Sequence, residues 1–287
     1  MKNAAKKSVA LKTVALPSGE RVPALGMGTW RMGENRAAAA EEMATLRLGL
    51  DLGAALIDTA EMYGEGRAET LIGRAIAGRR EEVFLVSKVY PHNASRADAL
   101  AACERSLRRL ATDHIDLYLL HWRGAVPLEE TIEAFATLQQ AGKIRYYGVS
   151  NFDVTDMEEL WSLSPGRAVV TDQVLYNLEH RGLEHDLQPW LQARHLPIMA
   201  YSPLEEGKLL RDERLAKLAS RYGRTPAQLA LAWLLARDGV IAIPKTADRR
   251  RLRENVHAIE HPLTAEELAA LDESFPRPRE RQPLEML

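Results

Sequence analysis

VFLVSKVYPHNASRADALAACERSLRRLATDHIDLYLLHW, residues 83–122, places two apolar, β-rich runs on either side of one helical segment. The runs are VFLVSKV at 83–89 and IDLYLLHW at 115–122, and the segment of helical period is 96–110. Strands that are apolar along their whole length are buried on both faces, and a helix between two of them implies parallel neighbours. Ser95, followed three residues later by Asp98, resembles a capping box and marks the helix start.

Outward from this unit the pattern recurs. Further strand candidates are ALGMG at 24–28, ALIDTA at 55–60, RYYGVSN at 145–151, AVVTDQV at 168–174, PIMAYSP at 197–203 and GVIAIPK at 239–245, making eight in all. Helical period returns at 38–52, 67–78, 128–141, 154–163, 211–222 and 226–237, the last with Thr225 before Pro226, where a helix tolerates proline. Eight strand–helix repeats predict an α/β fold, the (β/α)₈ TIM barrel. The competing open doubly wound sheet usually carries a Gly-rich turn after its first strand, and no GxGxxG here follows a strand to open a helix.

Ahead of the barrel, TVALPSGERVPAL reads as a β-hairpin around Pro17, Ser18 and Gly19, expected to cap the barrel floor. The 287 residues suit one large domain or two ordinary ones, but no Pro/Gly/Ser-rich linker divides them. One domain over 1–287 is expected: hairpin about 12–23, barrel about 24–275, and a polar tail at 276–287.

With 46% hydrophobic and 27% charged residues the chain can bury a sizeable core. A formal net charge of -2 argues against a polyanion-binding surface, so nucleic acid is not an expected partner. Cys103 is the single cysteine; it allows no intramolecular disulfide and no thiolate metal cluster, and fits a reducing compartment. No apolar run is long enough for a membrane span, and MKNAAKKSVALKT has no secretory apolar core. A cytoplasmic protein with no membrane partner, monomeric or weakly homo-oligomeric, is expected.

In a parallel barrel the carboxyl ends of the strands converge on one mouth, so polar residues recurring there carry information. The strands end in Thr29, Asp58, Lys88, His121, Ser150 with Asn151, Gln173, Tyr201 with Ser202, and Lys245. Each alone is ordinary, because strand ends meet solvent. Together they form a candidate site: Asp58, Lys88 and His121 close three successive apolar strands, and charges beside a core must pair. Asp58 and Lys88 are natural partners. Tyr63 follows in DTAEMYGEG, where Gly64 and Gly66 permit a turn folding the phenol back over the mouth, although a lone Tyr before Gly is more often a packed loop residue.

These residues resemble the aldo-keto reductase superfamily along nearly the whole chain. LIDTAEMYG is similar to the family's DTA-x-x-YG signature, LLHW to its fourth-strand histidine, and GVSNF, DQVLYN and AYSPL to its fifth-, sixth- and seventh-strand motifs; IPKTADRRRLRENVHA resembles its IPK-S/T segment ending in R-x-x-EN. The resemblance implies NADPH-dependent reduction of aldehydes and ketones, with Asp58, Tyr63, Lys88 and His121 as the catalytic tetrad and Tyr63 as proton donor. It implies that Lys88 and Asp58 tune Tyr63, and a nearby ammonium is expected to lower the phenol's pKa from its usual value near 10. His121 is implied to orient the substrate carbonyl.

The same resemblance places the nicotinamide carboxamide on Ser150, Asn151 and Gln173 and stacks the ring on Tyr201. Gly28, Thr29 and Asp58 fall in the cofactor set; Ser202, Leu204 and Gly207 correspond to contacts near the pyrophosphate. Lys245, Thr246 and Arg251 sit where the family holds the 2′-phosphate, with Glu254 and Asn255 near the adenine. Two cations and a hydroxyl suit a phosphate, so NADPH is preferred over NADH. A solvated basic helix start stays open for Arg249, Arg250 and Arg253. Trp30 and Trp122, with Tyr63 and His121, are the expected pocket walls, although Trp at a barrel rim is often only packing. The short WRGAVPLEE connection and the polar tail suggest an open pocket for a small carbonyl substrate.

A class I aldolase using Lys88 as Schiff-base nucleophile leaves Tyr201, Gln173 and the Lys245–Arg251 cluster without a role. A non-catalytic binding barrel leaves the tetrad unexplained. A metal hydrolase is disfavoured and no metal is expected: no HxH or HExxH occurs, and His92, His114, His121, His180 and His185 lack ligand spacing.

Overall fold

In the computed structural model, which describes residues 11–287, a two-stranded hairpin precedes a parallel barrel ringed by helices. The hairpin pairs β1 (Thr13–Ala15) with β2 (Arg21–Pro23), and Val14, Leu16 and Val22 are buried beneath it. It sits on the floor. Glu20 of its turn accepts from Arg145 (2.6 Å) and from the Tyr146 hydroxyl (2.7 Å), and Lys12 donates to the Leu235 carbonyl (2.6 Å).

The barrel then runs β3 (Gly26–Gly28), α1 (Ala39–Asp51), β4 (Leu56–Asp58), α2 (Arg67–Ala75), β5 (Phe84–Val89), α3 (Arg96–Leu110), β6 (Ile115–Leu120) and α4 (Leu128–Gln140). It continues with β7 (Ile144–Ser150), α5 (Val154–Ser162), β8 (Asp172–Leu175), α6 (Leu187–Gln192), β9 (Ile198–Tyr201), α7 (Glu213–Arg221), α8 (Pro226–Leu235), β10 (Val240–Ala242), α9 (Arg249–Glu260) and α10 (Ala265–Ser274). All eight barrel strands pair in parallel, in sequence order.

Closure comes from bridges Leu25↔Ala242 and Gly28↔Lys245, which join the first barrel strand to the last. Gly28 donates its N–H to the Pro244 carbonyl at 3.1 Å, and a Cβ at residue 28 would lie 2.8 Å from the Ile243 carbonyl oxygen. Only glycine lets the seam shut here.

The predicted helix at 96–110 is α3, with the Ser95 hydroxyl accepting from the Asp98 N–H and Cys103 fully buried on its inner face. Thr225 and Gln228 form a full capping box, with Pro226 in the first turn of α8. Three departures stand out. The strand expected at 168–174 begins only at Asp172, because Pro165–Ala168 makes a short 3₁₀ turn first. The helix expected at 211–222 starts at Glu213, since Asp212 caps it by accepting from Arg214 and Leu215 N–H groups. The helices α6, α9 and α10 lie outside the seven anticipated.

Candidate active site

Asp58, Lys88 and His121 stand at the mouth because each closes a strand whose preceding residues fill the barrel wall, and their exposures are 2%, 0% and 9%. Lys88 Nζ lies 2.8 Å from Asp58 Oδ2, donates to the Thr59 carbonyl at 2.8 Å, and lies 3.3 Å from the Tyr63 hydroxyl. Three partners hold the buried ammonium in place. Tyr63 reaches it through a tight turn in which Gly64 (φ 56°), Glu65 (φ 55°) and Gly66 (φ 85°) all take left-handed backbone. The phenol ring is half-buried, meeting Trp30 edge-on at 5.0 Å and His121 at 5.8 Å between ring centroids.

The electrostatics correct one expectation. Burial, reinforced by the Asp58 charge, holds the Tyr63 phenol well above its ordinary value rather than below it. Lys88 does not overturn this, since burial also pulls its ammonium below the usual lysine value, against the pull of Asp58. Tyr63 is therefore neutral in this structure. Burial and the adjacent Lys88 push His121 well below the ordinary imidazole value, so it too is neutral near pH 7. Its Nδ1 is buried with no hydrogen-bond partner among the described residues.

The expected carboxamide set clusters beside this tetrad. Gln173 Nε2 donates to Asp58 Oδ1 at 2.8 Å, and the Ser150 hydroxyl donates to the Gln173 carbonyl at 2.7 Å. Asn151, held at φ 61°, donates from Nδ2 to the His121 carbonyl (3.1 Å) and accepts from the Tyr201 hydroxyl (2.9 Å). The Tyr201 ring packs half-buried against the core, presenting a flat wall at the mouth. Thr29 is fully buried and donates to the Asp58 carbonyl at 2.8 Å, steadying the tetrad's backbone.

After Tyr201, Ser202 (φ 45°), Glu205 (φ 50°), Glu206 (φ 49°) and Gly207 (φ 88°) form a loop of left-handed residues, with half-buried Leu204 packed on the core. Beyond the neighbouring strand β10, Lys245 and Arg251 are exposed and Thr246 half-buried, next to the N-terminus of α9. Asp248 caps that helix, accepting from the Arg250 (2.7 Å) and Arg251 (3.1 Å) N–H groups. Arg249 turns away to Glu41 at 2.7 Å, as a solvated basic residue would. Asn255 is buried on the inner face of α9, and Glu254 is half-buried beside it.

Trp30 is 40% exposed, while Trp122 is half-buried, its ring 4.8 Å from His121 and 5.1 Å from Tyr90. Two groups lay outside the sequence expectation. Asn177, the last residue of the DQVLYN motif, holds the Ser202 carbonyl (2.9 Å) and Glu205 Oε2 (3.0 Å), fixing the left-handed loop. The tail is tied back to the barrel: Pro278 accepts from His185, Arg281 pairs with Asp186, Glu285 meets His180, and the Leu287 N–H donates to the Tyr201 hydroxyl at 3.4 Å. Motif spacing could have flagged Asn177; the polar tail gave no such signal.

Known proteins are similar to this chain. Methylglyoxal reductase YeaE of Escherichia coli (strain K12) is 47% identical over 281 residues, covering 96% of this chain and 99% of that protein. Glyoxal reductase of Bacillus subtilis (strain 168) is 34% identical over 260 residues, 91% of each chain. A Klebsiella pneumoniae aldo-keto reductase crystallised with NADPH superimposes with a TM-score of 0.94 at 48% identity, covering 97% of this chain and 100% of that one. The sequence pattern of the Aldo/keto reductase family matches residues 24–275, the whole barrel from its first strand to the end of the last helix, and the chain belongs to that family.

Proposed function

We propose that this chain reduces small aldehydes and ketones with NADPH, with Tyr63 as proton donor and short α-oxoaldehydes as the favoured substrate class. One observation carries the reading: the Lys88 ammonium, itself fully buried, touches both Asp58 and the Tyr63 hydroxyl. The relatives bearing the names methylglyoxal reductase and glyoxal reductase support the substrate class. The residues fit the cofactor: Tyr201 offers a stacking face, Ser150, Asn151 and Gln173 offer amide and hydroxyl partners, and Lys245, Thr246 and Arg251, around the start of α9, offer two cations and a hydroxyl to a phosphate. Gly28, Ser202, Leu204, Gly207, Glu254 and Asn255 complete the set.

NADPH supplies the hydride when bound. The protein's part is to hold and move a proton and to steady charge. The neutral Tyr63 hydroxyl gives its proton to the carbonyl oxygen as the carbonyl carbon is reduced, leaving a phenolate beside Lys88. The ammonium stabilises that phenolate at the moment it forms, which is where the Asp58–Lys88 pair acts. Neutral His121 can donate an N–H to the same oxygen without competing for the proton. Trp30 and Trp122 exclude water from one side of the mouth.

Cytoplasmic residence fits the buried, unpaired Cys103, and no described helix is long and apolar enough to cross a membrane. One folding unit, monomeric or weakly self-associating, fits an apolar cluster that runs from Val14 of the hairpin to Phe275. The test is NADPH consumption with methylglyoxal, other aldehydes, ketoacids and quinones. Steady oxidation with short α-oxoaldehydes supports the reading; no oxidation with any carbonyl overturns it.

A further inference from the structure

His180 lies outside the tetrad and outside every cofactor position above, yet both of its ring nitrogens are engaged. Nδ1 is 2.8 Å from Glu285 Oε2 of the tail, and Nε2 is 3.1 Å from Glu205 Oε2 of the left-handed loop after Tyr201. Glu205 is almost fully buried and is itself gripped by Asn177 (3.0 Å) and by Lys208 (3.2 Å). Two residues beyond Glu285, the Leu287 N–H donates to the Tyr201 hydroxyl. From there the hydrogen bonds continue through Asn151 to the His121 carbonyl.

Resting on the cofactor reading given above, we propose that His180 is a positioning residue that clasps the C-terminal tail to the 202–207 loop, and that this clasp opens to let NADPH in and out. The geometry makes the tail a strap. It is pinned at intervals by His185 to the Pro278 carbonyl, by Asp186 to Arg281 and by Leu284 against the core, and its last residues cross the edge of the ring proposed to stack on the nicotinamide. The 202–207 loop is proposed to face the pyrophosphate, so one histidine ties the tail to a segment proposed to hold the cofactor.

The clasp depends on protonation. Burial pulls the His180 imidazole down, but Glu285 and Glu205 outweigh it and hold it above the ordinary imidazole value. The charged groups facing it are Glu285 from the tail and Glu205 from the loop, with Lys208 behind Glu205. A raised value means the clasp is fully made below the free imidazole range and is lost as pH rises through the folded value.

The experiment compares wild type, His180→Gln, Glu285→Gln, the double variant and a chain ending at Leu284. Carboxypeptidase trimming of the cofactor-free protein reads the clasp; stopped-flow NADPH fluorescence reads exchange. We expect several-fold faster trimming in either single variant at slightly acid pH, no further gain in the double, and wild-type trimming that rises with pH to meet the variants. NADPH on- and off-rates should rise together in the variants and in the shortened chain, with the dissociation constant moving much less. Equal trimming in wild type and His180→Gln overturns the clasp, and an off-rate that rises while the on-rate stays fixed overturns the gating, leaving a role in loop stability alone. Failure of wild type to bind NADPH overturns the cofactor reading and the gating with it, while the trimming data test the clasp by themselves.

Discussion

Gln173 donates its side-chain amide to Asp58 at 2.8 Å, so the carboxylate that holds Lys88 on one oxygen holds a proposed cofactor residue on the other. Asp58→Asn should therefore fail twice. It leaves Lys88 buried without a counter-charge, a loss that costs about 3–5 kcal/mol in comparable pairs. Turnover should collapse and the melting temperature fall. Adding Lys88→Met to that variant should restore much of the stability and none of the activity, because the unpaired charge is gone. Thermal melts and steady-state kinetics of the two singles and the double check this; purely additive stability losses would break the pairing argument.

Tyr63→Phe should lower the reduction rate by roughly 10² to 10⁴-fold, the usual worth of a positioned general acid, while NADPH affinity stays within a small factor of wild type. The pH profile has a definite sign. A donor whose value is raised stays protonated through neutrality, so the rate should hold steady there and fall only in the alkaline range, above the ordinary phenol value. A rate that already declines near pH 7 with a wild-type tyrosine would place the acid elsewhere.

Arg251→Ala should weaken NADPH and spare NADH. A charge-assisted contact to a phosphate is worth about 1.5–3 kcal/mol, which is roughly one to two orders of magnitude in affinity. Dissociation constants for both cofactors, measured at two salt concentrations, give the ratio. Equal weakening of both would assign Arg251 to the fold.

Asp172 is fully buried, and neither of its side-chain oxygens has a hydrogen-bond partner among the described residues. Burial holds its carboxyl well above the ordinary value, and the nearby Asp156 and Asp153 charges reinforce this. The folded protein then keeps a proton that the unfolded chain releases above the normal carboxylate range, so this residue costs stability increasingly as pH rises toward neutral. Asp172→Asn removes that cost. Denaturant melts should show the variant gaining on wild type between pH 4 and pH 7; a constant difference across that span would mean that Asp172 is ionised in the fold.

Most of the barrel and its mouth could be read in advance because they rest on local pattern. Apolar runs ending in Asp58, Lys88 and His121 fix where strands stop, and where strands stop is where a barrel gathers its polar groups. What escaped depended on longer-range effects. Six-residue α6 carries Pro189 and too little period to register, and α10, with its Thr264–Glu267 capping box, lies past the eighth repeat. The direction of the Tyr63 shift turned on how deeply its oxygen sits, a quantity set by packing. The tail's polar composition suggested solvent, but it is held by His180, His185 and Asp186, none of which is its neighbour in sequence.

The seam at Gly28 and Lys245 also orders events in time. Every other strand pair joins consecutive units of the chain, whereas this one joins the first strand to the last and must wait for the longest loop closure in the fold. Lys245 belongs both to that final junction and to the proposed phosphate clamp. A cofactor gripping it would bind only the zipped barrel, so saturating NADPH should stabilise the zipped form by mass action and delay the first step of unfolding, which makes the cofactor a rivet as well as a reductant.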